Sequence, residues 1–164
     1  SGWSANKTAF LAGFASPTRG IMGGETGTIH YVTFASASNS SDFGDLTVDR
    51  YNMNEACSSN TRGMFAGGLN DSTGRSNVID FITIASLGNA TDFGDLLAEK
   101  REGASTSSKT KGSYIGGETS ATQGDGLNVI EFWTIASAGN SQDFGDLTGS
   151  VEEGTACSTT HGGL

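Results

Sequence analysis

The pentapeptide DFGDL occurs three times, at Asp42–Leu46, Asp92–Leu96 and Asp143–Leu147, spaced 50 and 51 residues apart. The likeness extends well beyond the pentapeptide. Upstream stand IHYVTFASASNSS, VIDFITIASLGNAT and VIEFWTIASAGNSQ, and downstream stand ACSSNTRG, ASTSSKTKG and ACSTTHGG. Two sections continue to a double glycine, at Thr61–Gly68 and Thr110–Gly117, and an earlier copy covers Thr18–Gly24. A fixed period in a chain of 164 residues means an array of small units, each burying its apolar face against the next.

The units read as strands. VIDFITIA is rich in β-branched and aromatic residues and short for a helix. RGMFAGG is an apolar run ending where backbone turns sharply or approaches other backbone. SLGNATDFGD carries the Gly, Asn and Asp of turns, and the variable stretch after each DFGDL reads as an exposed outer strand. Composition agrees: with 25 Gly and only 16% charged residues, the chain lacks the Ala, Leu, Glu, Lys and Arg of a helical bundle. The fold class is therefore all-β. Segment 1–17 is expected to be an N-terminal strand segment completing a neighbouring blade. Repeat 1 spans 18–60, repeat 2 spans 61–109, and repeat 3 with the start of the next unit spans 110–164. A unit of about 50 residues with about four short strands is one propeller blade.

The net charge of −9 gives no electrostatic footprint for phosphate backbones or anionic lipid, which argues against nucleic-acid and membrane-surface binding. No apolar stretch reaches transmembrane length, so no membrane insertion is expected. The start lacks both Met and a signal-peptide pattern and reads as processed or cut from something longer.

The units resemble kelch repeats in the apolar strand ending in Gly-Gly, the step Val78-Ile79-Asp80-Phe81, an aromatic followed by Leu (Phe93, Leu96), and a basic residue soon after (Arg101). They depart from kelch where Phe43, Phe93 or Phe144 replaces the usual Trp, and the third unit has Val151 where the first has Arg50. The form ITIASxGNATDFGDL followed by CSSxTRGxFAGG more specifically resembles kelch-like repeats in structural proteins of tailed phages. That resemblance implies β-propeller blades on a virion surface, in a tail fibre or another extracellular setting, with no enzymatic activity and no cofactor. It also implies contact with a host receptor or glycan. About three blades fall short of the four to eight of a closed propeller, so further repeats or a second chain would close the ring and self-association is expected. The alternatives are a secreted lectin-like or adhesive propeller, a self-assembling filament subunit, and a glycan hydrolase on a propeller scaffold.

Candidate chemistry is sparse. DFG invites a kinase reading, but no phosphate loop, strand Lys or HRD loop accompanies it. The segment also resembles an Asp-box, which makes Asp42, Gly44 and Asp45, Asp92, Gly94 and Asp95, and Asp143, Gly145 and Asp146 structural turn residues: Asp caps nearby N–H groups and Gly takes positive φ. Calcium on Asp42 and Asp45 is the rival, although two carboxylates are a start rather than a cage of six to eight oxygens, and no other metal site is expected. Cys57 and Cys157 hold equivalent positions and read as small buried thiols. His30 and His161 lack companions at zinc-ligand spacing, and no catalytic set can be assembled. Arg19, Arg62 and Lys111 recur before the Gly-Gly strand and are expected to pair with repeated Asp residues between blades. Sequons at Asn6, Asn39, Asn70 and Asn89 are expected by chance in so Asn- and Ser-rich a chain. The loops Gly67–Asn77 and Gly117–Asn128 are longer than Gly24–His30 and would form a ligand rim, with Asn70, Asp71, Arg75, Thr119, Gln123 and Asp125 as candidates.

Overall fold

A computed structural model describes residues 12–24, 26–53, 55–119 and 126–158. The described residues contain three antiparallel sheets and no helix. The first sheet is the meander β1 (Ala12–Ala15), β2 (Arg19–Gly23), β3 (Thr28–Thr33) and β4 (Ser41–Asp45). The second starts with β5 (Ala56–Ser58) and β6 (Arg62–Ala66). A two-residue strand β7 (Leu69–Asn70) then folds onto the start of β8 (Gly74–Thr83), and β9 (Thr91–Lys100) completes the sheet. The third repeats the meander with β10 (Ala104–Ser107), β11 (Lys111–Ile115), β12 (Leu127–Thr134) and β13 (Gln142–Val151). This is the all-β, blade-like architecture that the repeats imply. The described residues do not by themselves form a closed ring.

The sheets are offset from the sequence units. Ala12–Ala15, in the segment expected to complete a neighbouring blade, pairs with Arg19–Gly23 and begins the first sheet. Ala56–Ser58, at the end of the first sequence unit, pairs with Arg62–Ala66 and begins the second. The cause is a tight turn that recurs three times. The amides of Arg19, Arg62 and Lys111 donate to the hydroxyls of Ser16, Ser59 and Ser108 at 3.0, 3.1 and 3.1 Å. This Ser-capped turn holds the short first strand onto the Gly-Gly strand after it.

Two cores lie between consecutive sheets, and the two-residue side-chain period of a strand explains both. On β6, Phe65 points toward the first sheet, joining Ile21, Ile29, Phe43, Leu46 and Met53. Its neighbours Met64 and Ala66 point the other way and pack with Tyr114, Trp133 and Ile135 of the third. The first strands lie side by side, β1 against β5 and β5 against β10.

Candidate functional site

The repeated DFGD segments lie in outer strands rather than in turns. Between the pairs Ile29↔Gly44 and His30↔Asp42 the outer strand uses one extra residue, Phe43, and the register shifts identically at Phe93 and Phe144. Each is a β-bulge with Gly at the positive-φ position: Gly44 at 146°, Gly94 at 148° and Gly145 at 135°. Each first Asp caps its bulge, since Oδ1 of Asp42, Asp92 and Asp143 accepts the amide of Gly44, Gly94 and Gly145 at 3.0, 3.1 and 3.0 Å. The expected capping chemistry is present, in an element the sequence assigned differently. Asp-x-Gly serves a turn and a bulge equally well.

The bulge is also a docking point for the next sheet. Gly88 and Ala90 donate their amides to the carbonyls of Phe43 and Asp45 at 2.8 and 2.7 Å. In return the Asp45 amide donates to Oδ1 of Asn89 at 3.1 Å. The pattern repeats one sheet later. Gly139 and Ser141 donate to Phe93 and Asp95 at 2.8 Å each, and Asp95 donates to Asn140 at 3.1 Å. From sequence Asn89 stands out only as a sequon and Asn140 not at all, although both stand in the repeated Gly-Asn that precedes DFGD. The Asp42 and Asp45 segment is thus occupied in sheet-to-sheet bonding. Among the described residues, no three His, Cys, Asp or Glu side chains converge as metal ligands. Replacing Asp92 by Ala is expected to lower stability by about 0.5–1.5 kcal/mol, the worth of one hydrogen bond, in urea denaturation. No loss of stability would contradict the capping role.

A second repeated link is a buried ion pair. Arg50, which follows the first sheet, reaches Asp80 on β8, with Nη2 to Oδ2 at 2.5 Å and both side chains fully buried. Thr47 adds its hydroxyl to Asp80 Oδ1 at 2.6 Å, and Arg50 also donates to the carbonyls of Val78 and Gly67 at 2.6 and 2.9 Å. Burial pushes the Arg50 guanidinium below its usual pKa, while Asp80 pulls it back. In the next unit Lys100 pairs with Glu131, which also accepts the Leu97 amide at 2.9 Å and the Ser141 hydroxyl at 2.6 Å. The equivalent positions elsewhere are Val151 in the third unit and His30 in the first.

The third link corrects an expectation. Arg19 and Arg62 bridge neighbouring sheets, but to carbonyls rather than carboxylates: Nη1 donates to Ile84 O at 2.7 Å and to Ile135 O at 2.8 Å. Each guanidinium lies over an aromatic ring of its own sheet, Tyr31 at 5.1 Å and Phe81 at 4.7 Å. Lys111 lies over Phe132 at 3.8 Å and is exposed.

The proposed rim is partly built and partly engaged. Asn70 Oδ1 accepts the amides of Ser72 and Thr73, and its Nδ2 donates to Asp49 O at 2.6 Å, so it shapes its own hairpin. Asp71 is exposed and accepts the Tyr51 hydroxyl at 2.7 Å. Arg75 crosses to Glu118 at 3.0 Å, and Arg101 binds the same oxygen at 2.6 Å. Burial pushes Glu118 up, but hydrogen bonds from Arg101 and Arg75 outweigh it and hold the carboxyl below its usual pKa. Arg75 thereby brings the second-unit loop beside the third-unit loop, which carries exposed Thr119. Gln123 and Asp125 lie outside the described residues, as do His161 and Asn6.

The cysteines differ. Cys57 is buried between the second and third sheets, and burial pushes its thiol up to about 12. Cys157 was expected to be buried and is exposed. A thiol reagent at neutral pH is expected to label one cysteine per native chain, Cys157. Equal labelling of Cys57 would contradict its placement. Two cavities lie along the sheet junctions. One, of 420 Å³, is lined by the Ser16–Arg19 turn with Asn60, Thr61 and Thr83–Ala85. The other, of 200 Å³, lies among the first strands and residues 156–158. No protein-family model and no curated protein sequence matches the chain.

Proposed function

We propose that the chain is a non-enzymatic structural and adhesive module of a virion surface, of tail-fibre type, with a host glycan or receptor as its outside partner. One observation carries the structural half of this reading. The repeated polar residues Asn89, Arg50 with Asp80, Lys100 with Glu131, and Arg19 with Arg62 are engaged in holding sheets together, and Asp42 caps the bulge on which the next sheet docks. What differs between units is the loops, and loops on a rigid scaffold are where recognition is carried. The Arg75–Glu118 bridge gathers two of them, leaving Asp71 and Thr119 facing solvent. A net charge of −9 favours neutral or amino-bearing sugars over polyanions.

The test is titration calorimetry with neutral and amino-sugar oligosaccharides against the chain and its Thr119→Arg variant. Binding at one site per chain, lost in the variant with the melting temperature unchanged, is the expected result. One equivalent site per repeat, or turnover of an oligosaccharide, would overturn the reading in favour of a lectin-like propeller or a glycan hydrolase.

A further inference from the structure

The links between sheets have a direction. Each sheet offers a bulge and a cation to its successor, and each successor offers a Gly-Asn loop, an acidic side chain and a carbonyl. Among the described residues, no Gly-Asn loop docks on the bulge of the third sheet, and the equivalent Ser38–Ser40 loop of the first sheet docks on no bulge. Burial records this. Phe43 and Phe93 at the first two bulges are each 3% exposed, whereas Phe144 at the third is 70% exposed. Ile84 and Ile135, which receive the arginines, are 3% and 2% exposed, whereas their equivalent Phe34 is 58% exposed. A Cβ on Gly94 would meet the carbonyl of Gly139 at 2.5 Å, whereas a Cβ on Gly145 would meet nothing within 4 Å.

The charges point to what covers these faces. Where the ion pair would recur, the third sheet has Val151 instead of Arg50 or Lys100, and the first has His30 instead of Asp80 or Glu131. A buried Lys facing no acid, or a buried acid facing no cation, is strongly destabilising. Losing both members together is what a contact between these two positions requires.

We propose that the third sheet of one chain docks on the first sheet of a second copy. The Phe144–Asp146 bulge receives the Ser38–Ser40 loop, Val151 faces His30, and Lys111 reaches the Phe34 carbonyl. Made twice about a two-fold axis, the contact joins three sheets from each chain into a ring of six, within the range of closed propellers. The segment Ala156–Ser158 lies beside Thr106, where the partner's first strand would come. It repeats the Ala-Cys-Ser of β5 and would have to be displaced by the partner's first strand. The proposal extends the established sheet-to-sheet interface and does not depend on what the loops bind.

Light scattering of the full chain over a concentration series tests it. One species at twice the 16.8 kDa chain mass is expected. Phe144→Asp should raise the dissociation constant about tenfold or more, while the monomer loses only the edge contact of Phe144 with Phe132. Val151→Lys alone and His30→Glu alone should each weaken the dimer, and the two combined in one chain should restore or tighten it. A monomer at every concentration would overturn the proposal and leave the faces to repeats on a longer chain. A dimer indifferent to Phe144→Asp, or a double variant no tighter than the singles, would also overturn it.

Discussion

Replacing Asp80 by Ala is expected to destabilise the chain by about 3–5 kcal/mol, because Arg50 would keep its charge in a site fully closed to water. Its carbonyl partners, Val78 and Gly67, cannot neutralise it, and of the two acids that act on it only Glu55, which makes no hydrogen bond to it, would remain. The Thr47 hydroxyl loses its acceptor in the same step. Arg50→Met together with Asp80→Leu should recover most of the loss, since a buried ion pair is worth little more than well-packed apolar side chains. Urea denaturation of the two variants separates these cases. A loss under about 1 kcal/mol for Asp80→Ala would mean that the pair is not closed to water.

The second large effect is expected at Gly94. At φ 148°, an Ala there carries backbone strain of about 1–3 kcal/mol. Its Cβ would also stand 2.5 Å from the Gly139 carbonyl of the next sheet, where something must shift at about 1–3 kcal/mol more. Gly145→Ala supplies the control at dilutions where the chain is monomeric. It has a similar φ of 135° and an open space for the new methyl, so it bears the strain alone. The difference between the two variants isolates the sheet-to-sheet contact. Equal losses would mean that the Gly-Asn loop does not press on the bulge.

Much of the scaffold was legible because one pattern is written three times. The apolar runs around Ile29, Ile79 and Ile130 with their Gly-Gly partners are strands, and the period sets the number of sheets. The sheet boundaries were less legible. AGFA, ACS and ASTS are too short and too small to announce which neighbour they pair with, and the Ser-capped turn decides it. In sequence DFGD reads as a turn, because Asp caps and positive-φ glycines suit turns and bulges alike. The partner of Arg19 and Arg62 was misread for a related reason: repeated Asp residues are plentiful, but the nearest acceptor is a carbonyl presented by the next sheet.

The buried pairs were hidden by distance. Arg50 and Asp80 are 30 residues apart, and nothing local to either marks the other. Their chemistry was in view, however, as a cation after each of the first two DFGDL segments and an acid inside each of the second and third apolar runs. Loop length singled out the rim segments, but sequence could not show that Asn70 caps its own hairpin or that Arg75 is bound to Glu118. Asp71 and Thr119 remain the exposed candidates among the described residues.

Amide hydrogen exchange of the loops that precede each DFGD tests the serial docking of sheets most directly. At concentrations where the chain is monomeric, the amides of Gly88, Ala90, Gly139 and Ser141, which donate across sheets, should exchange slowly. Those of Ser38 and Ser40, their exposed equivalents in the first sheet, should exchange fast. Fast exchange throughout would mean that the sheets are not held by their bulges, and the assignment of the repeated residues to sheet docking would fall.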